Sequence, residues 1–286
     1  MPPVRRRALS SIAAVLTLAA NITILTPLRA GAEVVAAVGA TVLTLDPAFR
    51  SLPGNWLRGE LFAAPNVVAK VPYNNFPAAR NVHQGALNLN NMLHAIPGPK
   101  IVLGHSEGAQ VEDDWLRTYG PSSDIDPASV TFVLTGDPEG KYGGCMRVSN
   151  SGCTAAYGGT GFPIDTRYTV KVVIRQYDFW ADCPANLANS TARMNRFASM
   201  FVAGAGQYRQ VHGDYSNIGL NDPANTTYVE GNATYILGAP ATYYLPMVTL
   251  LKILSPEEHK RNADIELRPS VEAAYSRPMS APPPPG

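Results

Sequence analysis

Residues 101–109 read Ile-Val-Leu-Gly-His-Ser-Glu-Gly-Ala. A short apolar run ends in Gly104-His105-Ser106-Glu107-Gly108, and a helix-compatible segment follows at once. This is the G-x-S-x-G pattern in the strand–turn–helix setting that lifts a serine hydroxyl clear of a sheet edge. Glycines on both sides let the backbone turn sharply there. The chemistry such a serine performs is nucleophilic attack on an acyl carbonyl, and it needs a base with an orienting carboxylate behind it.

In this arrangement the partners follow the serine in the order carboxylate, then histidine. Of the five histidines, His83 and His94 precede Ser106, and His105 is its neighbour, with a side chain expected to point elsewhere. His259 lies in Glu257-Glu258-His259-Lys260-Arg261, which reads as solvated. His212, in the loop-like Val211-His212-Gly213-Asp214-Tyr215, is the expected general base. Three carboxylates compete. Asp178 follows the β-branched run 170–176, Asp182 stands four residues on, and Asp137 closes an earlier strand in Gly136-Asp137-Pro138. Asp178 is preferred because it stands at a strand end, with Asp182 as the alternative acid; those not facing the histidine would cap turns. The oxyanion would be held by the backbone N–H of Glu107 and by a second amide from the loop of an early strand, Thr41 or Val42. The Glu107 side chain is read as no more than a favourable charge at a helix start.

These groups must be positioned by an alternation of strands and helices. Residues 33–45 read as a buried first strand broken by Gly39, and Val67 to Pro72 as a second run. Residues 81–95 are helix-compatible, Pro97-Gly98-Pro99 breaks them, and Ile101 to Leu103 enters the turn at Ser106. Ala109 to Tyr119 is the helix leaving it, and Ser129 to Leu134 and Thr169 to Arg175 are further strands. Residues 185–202 predict a helix whose Leu187, Met194, Phe197, Met200 and Phe201 face the core; residues 236–254 predict strand, turn and short helix rather than a membrane span. Strands alternating with helices imply right-handed crossovers and a mainly parallel sheet in an α/β fold.

The chain has 286 residues, 45% hydrophobic and 16% charged, with a net charge of +1, which argues against a nucleic-acid binder. Residues 1–32 predict a signal peptide: Arg5-Arg6-Arg7, an apolar stretch to about Leu25, and Ala30-Gly31-Ala32 as cleavage site; an uncleaved N-terminal anchor is the alternative. Export, to the cell envelope or beyond, would permit disulfides. Cys145 and Cys153 flank a Ser/Asn/Gly turn and are the favoured pair, leaving Cys183 as a spare buried thiol; no cysteine pairing has zinc spacing, and neither a metal nor an organic cofactor is indicated. Asn189, Asn225 and Asn232 begin sequons that matter only in a glycosylating host. The Pro-rich tail, residues 279–286, is expected to be disordered.

Several blocks in order carry a resemblance: Gly104 to Ala109; Gly136-Asp137-Pro138 with Gly143-Gly144; Gln176-Tyr177-Asp178 through Ala181-Asp182 and Pro184; His212 through Tyr215; Asn225 to Tyr228; Leu267-Arg268-Pro269; and Ala274 to Pro278. On these blocks the chain resembles the PE-PPE domain family of cutinase-like serine hydrolases. The resemblance implies an α/β-hydrolase fold over residues 33–278, with a cutinase-like core and a C-terminal extension. It also implies a triad that falls on Ser106, Asp178 and His212. Glu107 stands where the family often has Gln, Cys183 where it often has an aromatic, and the segment Val38 to Thr44 lacks its paired glycines. The resemblance further implies an exported acyl enzyme acting on fatty-acyl lipids or glycolipids, with peripheral membrane association. Its reaction would be acyl transfer to a trehalose-type acceptor, with ester hydrolysis as the alternative. A non-catalytic envelope binding protein is the reading from a different class.

Overall fold

Alternating apolar pairs in the strands dictate the architecture. In the computed structural model, which describes residues 39–153, 159–202 and 210–283, each central strand carries neighbouring apolar residues that point to opposite faces. The strands are β1 (Thr41–Leu45), β2 (Val67–Lys70), β3 (Lys100–His105), β4 (Val130–Thr135), β5 (Thr169–Arg175), β6 (Thr226–Glu230) and β7 (Ala233–Gly238). They form one sheet in the order β2-β1-β3-β4-β5-β7-β6. All neighbours pair in parallel except β6, which returns antiparallel to β7 through a turn at Gly231.

Leu43, Val102, Phe132 and Val172 face one layer, packed on α1 (Ala79–Ala95) and α2 (Glu107–Thr118). Val42, Leu103, Val133, Val173 and Ile236 face the other, where Trp56, Leu57, Tyr215 and Ile218 cover them. A sheet buried on both faces needs this near-continuous apolar sequence. Only the outer strands escape it: β2 leaves Val67 and Val68 exposed at the edge. All described residues belong to the unit Ala37–Gly286. The expected signal segment 1–32 lies outside the described residues, as do residues 33–38 of the expected first strand.

Two expectations need correcting. The helix predicted over 185–202 is shorter, α3 (Ser190–Ala198), and it is turned the other way. Its buried face is Ala192, Asn195, Arg196 and Ala198, whereas Met194, Phe197 and Phe201 are exposed. The polar side chains point inward because the surroundings offer them partners. Asn195 accepts from the Met247 N–H at the start of α4 (Pro246–Leu251), and Arg196 donates to the carbonyls of Phe179 and Ser151. The tail is also not wholly loose: Met279 sits in the core and the Ser280 carbonyl accepts from Thr226, while residues 284–286 lie outside the described residues. The remaining helix, α5 (Glu257–Glu272), carries His259 on its exposed side. Among the described residues, no helix is long and apolar enough to cross a membrane.

Candidate active site

The turn after β3 holds Ser106 at φ 56° and ψ −114°, a conformation that L residues adopt only under constraint. Two neighbours must be glycine for this to fit. A Cβ at Gly104 would lie 2.5 Å from the Gly108 carbonyl oxygen, and one at Gly108 would lie 2.3 Å from the Leu45 carbonyl oxygen. The Ser106 N–H is tied to the Thr135 carbonyl of β4 at 3.0 Å. The serine is therefore fixed between two strand ends and the first turn of α2, whose leading N–H groups have no acceptor within the helix.

His212 enters from a short 3-10 turn, Val211–Gly213. That turn is anchored at both ends: the Val211 N–H donates to the Ser199 carbonyl behind α3, and Arg175 Nε donates to the Asp214 carbonyl. The imidazole is almost fully buried, with Nε2 2.9 Å from Ser106 Oγ and Nδ1 2.8 Å from both oxygens of Asp178.

Asp178 follows β5 after a tight turn in which Tyr177 takes φ 66°. Its carboxylate is fully buried and accepts from the Tyr215 hydroxyl at 2.6 Å, the Trp180 N–H at 2.8 Å and the Ala181 N–H at 3.2 Å. Burial alone would raise its pKa. The His212 imidazole and the donors around the two oxygens outweigh that, and hold the carboxyl below the usual aspartate range.

The other carboxylates are placed elsewhere. Asp182, the alternative acid, faces away from His212: it accepts from the Tyr177 N–H at 2.7 Å and pairs with Arg277 at 2.8 Å. Its burial pushes the pKa up to about 6 against the pull of Arg277. It is a clamp on the turn that carries Asp178. Asp137 accepts from the Glu139 N–H at 2.8 Å, and burial followed by the Glu139 charge pushes it up to about 7.

Thr41 cannot supply the second oxyanion amide. It pairs with Lys100 at the far end of β3, and its N–H donates to the Pro99 carbonyl. Six residues of extended chain, about 20 Å, separate that position from Ser106. The loop after β1 is at the correct end instead: Pro47, Ala48, Phe49 and Arg50 line the same cavity as Ser106 and His212. Glu107 also differs from expectation. Its side chain is buried at the cavity wall with neither carboxylate oxygen hydrogen-bonded, and burial pushes its carboxyl up to about 7, which leaves it a poor source of charge for the helix start.

His105 does not point away. Its ring lies 4.6 Å from that of His212 and 4.7 Å from Trp56, with Nδ1 3.0 Å from the Thr135 carbonyl. Full burial, then the neighbouring His212, drives its pKa down to about 3, so it is neutral and packs as a ring. Trp56, His105 and Tyr215 are the site residues that the sequence reading missed. The spacing of Tyr215, three residues after His212 in a tight turn, was the one available signal.

The cavity over Ser106 has a volume of about 440 Å³. Phe49, Pro77, Pro138, Met146 and Trp180 give it a mainly apolar wall. Met146 is held by the disulfide that joins Cys145 to Cys153, and by the Cys145 N–H donating to the Trp180 carbonyl. Cys183 is a free, buried thiol, pushed up to about 11 by burial. Among the described residues, no group of His, Cys, Asp and Glu could hold a metal ion. The arrangement can deprotonate an alcohol beside an apolar groove, stabilise the resulting imidazolium, and place helix amides near a developing oxyanion.

A family model for the PE-PPE domain matches residues 60–276. The SL1278 acyltransferase Chp1 of Mycobacterium tuberculosis is 27% identical over 205 residues, covering 68% of this chain and 48% of that protein. The esterase PE16 of the same organism is 28% identical over 182 residues, covering 62% of this chain and 34% of that protein. The chain thus spans less than half the length of either relative. The crystal structure of the metagenomic carboxyl esterase MGS0156 aligns with a TM-score of 0.36 at 11% identity, over 83% of this chain and 77% of that one.

Proposed function

The chain belongs to the PE-PPE domain family, and from that premise we propose that it is a serine acyl enzyme that moves fatty-acyl groups out of lipid esters. One observation carries the reading: a hydroxyl, an imidazole and a buried carboxylate in line, with contacts of 2.9 and 2.8 Å, at the wall of an apolar cavity.

In the proposed reaction Ser106 Oγ attacks the ester carbonyl while His212 Nε2 takes its proton. Asp178 keeps Nδ1 protonated and offsets the charge of the imidazolium. The tetrahedral oxyanion accepts from the Glu107 N–H at the start of α2 and from an amide of the loop after β1. In that loop Pro47 has no N–H, the Phe49 N–H donates to the Asn75 carbonyl, and the Arg50 N–H donates to the Pro47 carbonyl. Ala48 is therefore the second donor we assign. Collapse of the intermediate breaks the bond to the leaving alcohol, which receives the proton from His212 and departs, leaving an acyl ester on Ser106. An acceptor hydroxyl then gives its proton to His212 and attacks the acyl carbonyl; as that second intermediate collapses, the bond to Ser106 Oγ breaks, His212 returns the proton to Oγ, and the acylated acceptor leaves.

The triad is the same whether that acceptor is water or a sugar. Acyl transfer is the reading the acyltransferase relative favours and hydrolysis the reading the esterase relative favours; for transfer, the acceptor we propose is a glycolipid hydroxyl of trehalose type, as the resemblance of the sequence blocks implies. The Cys145–Cys153 disulfide and the N-terminal sequence pattern support an exported protein acting at the cell envelope.

The test is a fluorophosphonate label followed by product analysis. Wild type should label and Ser106→Ala should not; absence of labelling in folded wild type refutes the acyl chemistry. With an acylated trehalose lipid as sole substrate, a more heavily acylated sugar marks transfer, and free fatty acid alone marks hydrolysis.

A further inference from the structure

Behind the three residues of the proposed relay lies a fourth group with no assigned role. Tyr215 is fully buried, three residues after His212, and its hydroxyl touches two polar partners. The Arg175 N–H, at the end of β5, donates to it at 3.1 Å. It donates in turn to Asp178 Oδ2 at 2.6 Å. The direction of both bonds is forced. An amide N–H can only donate and an ionised carboxylate can only accept, so the single phenolic proton points at Asp178. A donor already polarised by the amide behind it makes a stronger hydrogen bond than an isolated phenol would.

The ring is held as firmly as the hydroxyl. Trp56 stacks on it at 5.4 Å with the planes 21° apart, and His105 leans on it at 5.1 Å. His105 also packs on His212 at 4.6 Å, so ring contacts run from Trp56 and Tyr215 to the imidazole. Trp56 is itself fixed by its indole N–H donating to Thr135 Oγ1 at 3.0 Å. The ionisable groups around the hydroxyl are Asp178, Arg175, His105 and, beyond Arg175, Asp214.

We propose that Tyr215 is a positioning residue for the acyl chemistry: its hydroxyl fixes the plane of the Asp178 carboxylate and draws off part of its charge, which sets how strongly Asp178 pulls on the His212 Nδ1 proton. The inference rests on the proposed serine acyl reaction. His212 Nδ1 is equidistant from both carboxylate oxygens at 2.8 Å, so that contact alone does not select one rotation of the carboxylate. The backbone amides hold Oδ1 and Tyr215 holds Oδ2, and together they fix it.

Tyr215→Phe keeps the stacked ring and removes only the hydroxyl. With the hydroxyl gone, more of the carboxylate charge falls on the imidazole. In a chromogenic ester assay kcat should fall about 10-fold at unchanged KM, the loss typical of one hydrogen bond to a charged group. The acid limb of the kcat/KM profile should move to higher pH, and the His212 Nδ1–H proton resonance should move downfield. Site-specific replacement of Tyr215 by a ring-fluorinated tyrosine, a stronger donor of the same shape, should shift the limb and the resonance the opposite way.

A Tyr215→Phe enzyme with wild-type kcat, acid limb and resonance overturns the inference and leaves the acyl chemistry standing. A folded wild type that neither turns over esters nor labels at Ser106 overturns the acyl chemistry. The resonance then decides the inference by itself, and an unmoved signal in both Tyr215 variants refutes it.

Discussion

Replacing Asp178 by Asn separates the geometry of the site from its charge. The side chains have nearly the same shape, so the donors around Asp178 fix what happens. Oδ1 accepts two backbone N–H groups, from Trp180 and Ala181, and only an oxygen can take that place. The amide NH₂ must then occupy the place of Oδ2, facing the Tyr215 hydroxyl at 2.6 Å and His212 Nδ1 at 2.8 Å, and Oδ1, also 2.8 Å from Nδ1, is shared with the two backbone N–H groups. Two donors would confront a third. The clash between the amide and the Nδ1 proton is relieved when His212 loses the Nδ1 proton and keeps one on Nε2, 2.9 Å from Ser106 Oγ. That tautomer cannot accept the serine proton. In a serine protease with the same relay, this exchange costs about 10⁴ in kcat, equivalent to about 5 kcal/mol of barrier. A loss of about 10³- to 10⁴-fold in kcat/KM on a chromogenic ester is expected at neutral pH.

Folding should survive the change, and its pH response should alter in a defined direction. The carboxyl of Asp178 lies below its ordinary range in the folded chain. Its stabilising contribution is therefore present above the ordinary aspartate range, about pH 4, and is lost as pH falls through the lowered folded value. Thermal melts of Asp178→Asn should show a shallower loss of Tm on the acid side than wild type. A folded variant that keeps kcat/KM within tenfold of wild type at pH 7 refutes the relay.

Gly108→Ala should destabilise the chain by about 1–3 kcal/mol in urea unfolding, because the new Cβ meets backbone of β1 that has no room to yield; the better helix propensity of Ala is too small to offset it, and a more stable variant would contradict the packing described. Glu107→Gln should raise Tm relative to wild type, by an amount that grows as pH rises from about 4.5 to about 7 and then levels off, since over that window the wild-type carboxyl is ionised in the unfolded chain but held neutral by burial in the folded one. A Tm difference that stays flat from pH 5 to 8 would show that Glu107 does not titrate in place.

Much of the fold can be read from the sequence because its signals are local. β-branched runs bounded by turn residues mark β4 and β5 to within a residue. Pro97-Gly98-Pro99 separates α1 from β3, and the glycines around Ser106 mark the tight turn after β3. Those features depend on neighbours within a few residues, so residue type and spacing suffice to find them.

Contacts between distant segments are not fixed in that way. Spacing places Asp137 and Asp178 near strand ends, with Asp182 four residues beyond Asp178, and the sheet order and the Arg277 clamp on Asp182 leave Asp178 facing His212. Thr41 and the loop after β1 lie at opposite ends of one five-residue strand, and strand direction decides which end meets Ser106. The apolar stripe of α3 reads as core, yet long-range partners for Asn195 and Arg196 turn that helix over. Periodicity records which residues share a face of an element. Which face is buried, and which side chains meet across a sheet, is set by the free energy of the whole packed molecule, to which segments far apart along the chain contribute together.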